Sequence, residues 1–235
     1  MRILALETSA RAASAALSED GRILGLAYQD TALTHSRTLM PLVRDLLRNA
    51  DLSLDAIDAV AAAAGPGSFT GLRIGIAAAQ GLALGAEKQT VAVSTLAAMA
   101  RNIAFAGGMA VCVMDARRAQ VYNALFSCGD GVPVRLTEDR AISLEDLAAD
   151  LARDPRPKTL VGDGAELCAE FLSQRGIPYR LAPPHLRLQN AASVALEAEA
   201  LARQGALVSP RELRPFYLRP PYALPLRERQ GASRP

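Results

Sequence analysis

Short apolar runs alternate along this chain with longer stretches whose apolar residues recur every three or four positions. Ile3–Glu7 reads as a buried strand, Ala13–Leu17 as a second, and Ile23–Tyr28 as a third, with Ser18-Glu19-Asp20-Gly21 as the hairpin turn between the last two. Leu39, Leu42, Val43, Leu46 and Leu47 then fall at helical spacing and predict an amphipathic helix over 35–50. Ala59–Ala64 has little flanking polarity, as in a strand covered on both faces. A helix over 68–86, a strand over 90–93 and a helix over 95–105 complete the first half.

The order then recurs. Strands are predicted over 111–115, 120–126 and 134–138, with Cys128–Pro133 as a turn. A helix over 143–153 follows, with Ser143 as N-cap and Asp146 near a capping-box position. A strand over 159–162, a helix over 165–174, a strand over 179–181 and a helix over 191–204 close the series. Both halves read strand, strand, strand, helix, strand, helix, strand, helix, without visible similarity of sequence. The expectation is a duplicated α/β protein: a half over 1–106, a half over 107–220 whose last helix can pack back on the first, and a loose tail over 221–235.

The segment Gly65–Gly75 changes this picture most. Gly65, Pro66 and Gly67 predict a tight turn, and Ser68 an N-cap. The helix behind it carries Gly71, Gly75, Gly81 and Gly85 around Ala77–Ala79. Each interior glycine costs about 0.5–1 kcal/mol relative to alanine, so something must compensate. Two readings stand: a tightly packed internal helix, or a helix that meets a partner chain closely.

Composition narrows the function classes. The 235 residues are half apolar, yet only 4% are aromatic and none is Trp, so Ala, Leu, Val and Ile must build the core. Lys and Arg total 26 against 24 Asp and Glu, which gives no general attraction to RNA or membranes. Cys112, Cys128 and Cys168 fit no disulfide framework or zinc spacing, and a reducing compartment is expected. Glu7 spoils the apolar start as a signal peptide, and the run from Ile74 to Ala86 is shorter than the roughly 20 residues of a membrane span. A cytoplasmic protein is expected, with no membrane partner.

Candidate chemistry sits at strand ends. Glu7 and Asp115 each close the first strand of a half and precede short polar turns, Thr8-Ser9 and Ala116-Arg117-Arg118. Ligands of open α/β sheets gather at such ends, and two facing acids could hold a magnesium–phosphate group, or merely cap strands at the surface. No metal site is expected: His35 and His185 are the only histidines, and nothing pairs a cysteine with either.

The duplicated order matches the ribonuclease-H-like fold of the actin, sugar-kinase and Hsp70 superfamily. Within it the chain resembles the TsaB (YeaZ) family. The carrying residues are Ile3–Ser9, His35-Ser36, Ala64–Gly75, Val113–Arg117 with Val121-Tyr122, and Pro215–Arg219. The resemblance implies an accessory subunit of the complex that makes N6-threonylcarbamoyladenosine in tRNAs reading A-starting codons. It implies pairing with a catalytic TsaD-like paralog through the first two helices, and a TsaE-like ATPase as a further partner. The interface would then take His35, Leu39, Leu42, Val43, Leu46, Ser68, Gly71, Leu72, Gly75, Ala78 and Ala79. TsaD-type relatives hold a metal with two histidines four apart; here position 39 is Leu, so no catalytic residue is expected. Nucleotide contacts would fall on Glu7, Asp115, Arg117, Gly162 and Gly164, but the first turn, Glu7–Ala13, has no glycine to admit phosphates, so no cofactor of its own is expected. ATP and magnesium would serve the complex, and tRNA would be met through it. The arginine-rich end, 211–235, leaves a minor RNA role open, with Phe216 and Tyr217 docking on the body. A homodimer through the same helices is a further option when the chain is alone. The alternative function is an independent actin-like phosphotransferase.

Overall fold

The computed structural model describes residues 1–31 and 33–219. Two mixed sheets carry the fold. In the first, β1 (Arg2–Glu7), β2 (Ala13–Glu19) and β3 (Arg22–Gln29) run antiparallel, and β4 (Ala59–Gly65) and β5 (Gln89–Ser94) add parallel to β1 in the order β3-β2-β1-β4-β5. The second repeats this. β6 (Gly108–Asp115) pairs antiparallel with β7 (Gln120–Cys128) and parallel with β10 (Lys158–Val161), and β11 (Arg180–Leu181) extends it. The two halves therefore place Glu7 and Asp115 at equivalent strand ends.

The third strand of the second half departs from the sequence reading. In place of one strand over 134–138 there are β8 (Val134–Arg135) and β9 (Arg140–Ser143), each paired separately with β7. Thr137 explains the break. Its hydroxyl accepts the Leu125 N–H at 2.9 Å, while the Leu136 and Thr137 N–H groups both turn to the Leu125 carbonyl. A side chain thus takes a ladder bond, and the strand steps out of the sheet.

Five layers stack around four apolar clusters. Helices α1 (His35–Asn49) and α2 (Phe69–Gly85) cover one face of the first sheet; α4 (Leu144–Arg153) and α5 (Ala165–Gln174) cover one face of the second. Between the sheets lie α3 (Thr95–Arg101) and α7 (Ala191–Arg203), while the single turn α6 (Pro184–Arg187), absent from the sequence reading, packs beside β10. The two inner helices cross over. α3 belongs to the first half but buries Leu96, Met99 and Ala100 against Ala110, Cys112 and Met114 of β6. α7 belongs to the second half but buries Val194, Ala195 and Ala198 against Ile3, Ala5 and Ala16. α3 stops at Arg101, short of the predicted 105, and Asn102 donates from its side chain to the Leu186 and Leu188 carbonyls. No described helix is long and apolar enough to cross a membrane.

Candidate functional site

The carboxyl ends of β1 and β6 open onto a cleft of about 720 Å³ between the halves. Ser9, Arg11, Gly67 and Phe69 line one wall; Asp115, Arg117 and Tyr122 line the other. A smaller lobe of about 310 Å³ continues past Arg11 and Asp163 toward Glu166 and Gln189.

Glu7 does not face Asp115 across this cleft. It is 1% exposed, below the floor formed by Ser9. Its Oε1 accepts the Ser9 N–H at 2.5 Å, and its Oε2 has no hydrogen-bond partner among the described residues. Burial pushes its pKa up to about 7, against the opposing bonds from Ser9, and Asp163 adds a smaller push. Asp163 is the acid that sequence reasoning missed. It lines both lobes, accepts a hydrogen bond from Gln189 Nε2 at 2.8 Å, and has its pKa raised by desolvation and by Asp115. Its place between two turn glycines was the available signal. Asp115 is turned onto its own hairpin: it accepts the Arg117 N–H at 2.7 Å and sits 3.4 Å from that guanidinium.

Five of the backbone donors near these strand ends are engaged within the chain. Ser9 N–H goes to Glu7, Ser68 N–H to the Ser9 carbonyl at 2.7 Å, and Arg117 N–H to Asp115. Gly162 and Gly164 N–H groups go to the Arg187 and Val113 carbonyls. Both glycines are small for a packing reason: a Cβ at Gly162 would lie 2.0 Å from the Val113 carbonyl oxygen, and one at Gly164 2.9 Å from the Met114 carbonyl carbon. Residues 162–164 therefore seat the β10–α5 turn on β6. Among the described residues no three His, Cys, Asp or Glu side chains cluster as a metal site.

The interface residues expected on α1 and α2 divide sharply. Leu39, Val43 and Leu46 are core, as are Leu72 and Ala79; Leu42 and Ala78 are partly buried against the same cluster. Leu39 through Leu46 are the apolar stripe that any amphipathic helix turns to its sheet. His35 is tied to the chain itself, with Nε2 2.8 Å from the Ala10 carbonyl oxygen. Ser68 caps α2 by accepting the Gly71 N–H at 3.3 Å, and it remains exposed. Gly71 and Gly75 correct the partner reading most directly: both are buried. A Cβ at Gly71 would lie 2.1 Å from the Thr8 carbonyl oxygen, and one at Gly75 2.4 Å from Thr8 Oγ1. That hydroxyl donates to the Gly71 carbonyl at 2.8 Å. These two glycines let β1 approach α2.

The outward face of α2 is different. Thr70, Arg73, Ala77, Gly81, Leu84 and Gly85 are all exposed, Leu84 by 52%. No described atom lies within 4 Å of a Cβ built at Gly81 or Gly85. Met40 and Pro41 of the neighbouring α1 are exposed as well.

Two sheets of this topology around an interdomain cleft define an actin-like α/β fold. A hexokinase of the ROK type from Thermus thermophilus shares the fold, with a TM-score of 0.50 at 12% identity over 87% of this chain and 100% of that one. The chain belongs to the TsaB (YeaZ) family within the wider group described as "TsaD: tRNA N6-adenosine threonylcarbamoyltransferase", whose model matches residues 8–209. YeaZ from Pseudomonas aeruginosa superposes with a TM-score of 0.80 at 32% identity, over 92% of this chain and 99% of that one. The tRNA threonylcarbamoyladenosine biosynthesis protein TsaB of Bacillus subtilis is 31% identical over 73% of this chain and 75% of its own length. Its Escherichia coli namesake is 43% identical over 54% of this chain, and the match spans 55% of that relative.

Proposed function

We propose that this chain is a non-catalytic subunit of the complex that forms N6-threonylcarbamoyladenosine in tRNA, pairing with a TsaD-like paralog through the outward face of α1 and α2. The observation that carries the pairing is the open space above Gly81 and Gly85. Inside the helix Gly81 costs about 0.5–1 kcal/mol, and no described atom lies near either position to offset a cost of that kind. A closely docked helix of a partner would.

Engaged donors in the cleft support the non-catalytic part of the reading. A phosphate-binding turn keeps amide N–H groups directed at the ligand. Here the amides of Ser9, Ser68, Gly162 and Gly164 are spent on the chain itself, and Glu7 is buried below the floor. ATP and magnesium are then handled by the complex, with a TsaE-like ATPase as a further partner and tRNA met through the assembly in the cytoplasm. Alone, the chain can use the same face for a homodimer.

Reconstitution tests this. Threonylcarbamoyladenosine formation is measured on tRNA with paralog and ATPase, with and without this chain. Product only on addition is the expected result. Undiminished product without it, or ATP turnover by the isolated chain, would favour the phosphotransferase reading. Gly81→Arg should weaken pairing with the paralog by tenfold or more, a cost of about 1.4 kcal/mol, while leaving the isolated chain folded.

A further inference from the structure

The segment after α7 does not end on the surface of its own half. It runs back along the first sheet and into the cleft. Val208 exchanges backbone hydrogen bonds with Thr90 of β5 at 2.8 and 2.9 Å. Gln80 of α2 donates from its side chain to the Pro210 and Leu213 carbonyls, and Leu213 is buried in the core beneath α1 and α2. Phe216 N–H donates to the Ala64 carbonyl at 2.6 Å, and a Cβ at Gly65 would strike the Phe216 carbonyl oxygen at 2.2 Å. Tyr217 packs on Phe69, ring centroids 5.0 Å apart, at the first turn of α2. These contacts are all with the first half.

Arg219 changes sides. Its guanidinium donates to the Ala116 carbonyl at 2.9 Å and lies 5.8 Å from the centre of the Tyr122 ring. Both acceptors belong to the β6–β7 hairpin on the opposite wall. That hairpin is held in an unusual backbone form, with Arg117, Arg118 and Ala119 at φ of 66°, 56° and 56°. Left-handed conformations at successive non-glycine residues persist only where the surroundings hold them. At the back of the cleft the connection is of another kind, since α3 is packed in apolar contact with β6 and β7.

We propose that residues 213–219 are a strap, and that Arg219 latches it across the mouth of the cleft, so that the two halves open about α3 when the latch is released. The back of the cleft is closed by apolar packing; at the mouth Arg219 contributes a charged hydrogen bond and a cation–π contact, which water can replace.

Hydrogen exchange read by mass spectrometry on the full chain tests this with Arg219→Gln. Loss of those two contacts should speed exchange about five- to tenfold in peptides covering 114–122 and 66–69, on opposite walls, while α4 and α5 keep wild-type rates. Three results would overturn the proposal: unchanged exchange throughout; faster exchange in 213–219 alone, meaning that the strap frays without the walls parting; or an equal rise through both sheets, meaning that Arg219 serves overall stability.

Discussion

The two ends of α2 carry the same kind of residue for opposite reasons. At its start, Gly71 and Gly75 are buried and stand 2.1 and 2.4 Å, by their missing Cβ atoms, from Thr8. At its end, Gly81 and Gly85 face open space. The first pair serves the fold of this chain. The second meets no described atom within 4 Å, and under the proposed pairing its small size serves a partner. A glycine-rich helix is therefore two arguments joined, and reading it as one assigned Gly71 and Gly75 to the wrong neighbour.

The largest effect should come from the packed end. Gly71→Val places a branched side chain against the Thr8 carbonyl, which is backbone at a strand end and cannot swing aside. Overpacking of this kind costs about 3 kcal/mol, and the urea midpoint should fall accordingly. A variant as stable as wild type would mean that α2 moves freely off β1, and the contrast between the two ends would collapse.

A second effect of similar size lies just beneath this contact. Glu7 is buried with its pKa raised from 4.5 to about 7. Between those values the folded protein keeps a proton that the unfolded chain has released, so stability falls as pH rises through the window and levels above it. The total is about 3 kcal/mol by linkage. Glu7→Gln removes the titration, and its unfolding free energy should be flatter than that of wild type from pH 4.5 to 7. Equal slopes would show that Glu7 ionises in the fold as easily as in water.

Much of this was legible in the sequence, and the rest fails for identifiable reasons. Period and turn residues located the strands and long helices because apolar spacing is imposed by the sheets they cover. Leu39, Val43 and Leu46 were expected at a partner surface along with the helix that bears them, although an apolar stripe marks the face turned inward to the core. The glycines held a clue. Gly71 and Gly75 share one stripe of the helix, Gly67 lies four residues earlier in the turn before it, and each would strike Thr8 or Ser9. Gly81 comes six residues after Gly75, a rotation of about 240° at 3.6 residues per turn, which puts it on another face. Asp163 and the strap were harder. The glycines around Asp163 and the aromatic pair Phe216-Tyr217 marked a turn and a docking segment, but where each lands depends on how distant segments meet. The tail expected over 221–235 lies outside the described residues.

Thr8→Val sharpens the comparison at lower cost. It keeps the shape that Gly71 and Gly75 accommodate but deletes the hydroxyl that donates to the Gly71 carbonyl at 2.8 Å. A buried bond of this type contributes about 1 kcal/mol net. The loss should therefore be near that value and clearly below that of Gly71→Val, which separates the bond from the close approach. Equal losses would make the hydrogen bond, rather than space, the reason for the two glycines.

The smallest effect has the opposite sign and isolates the open end. Gly81→Ala adds a methyl where no described atom lies within 4 Å and removes backbone freedom from the unfolded chain. It should stabilise the isolated protein by about 0.5–1 kcal/mol, read from urea unfolding. A gain means that nothing inside the chain needs this glycine, as the proposed docking over α2 expects. A loss would mean that a neighbour inside this chain already closes over Gly81, and the outward face of α2 would then have no claim to be a docking surface.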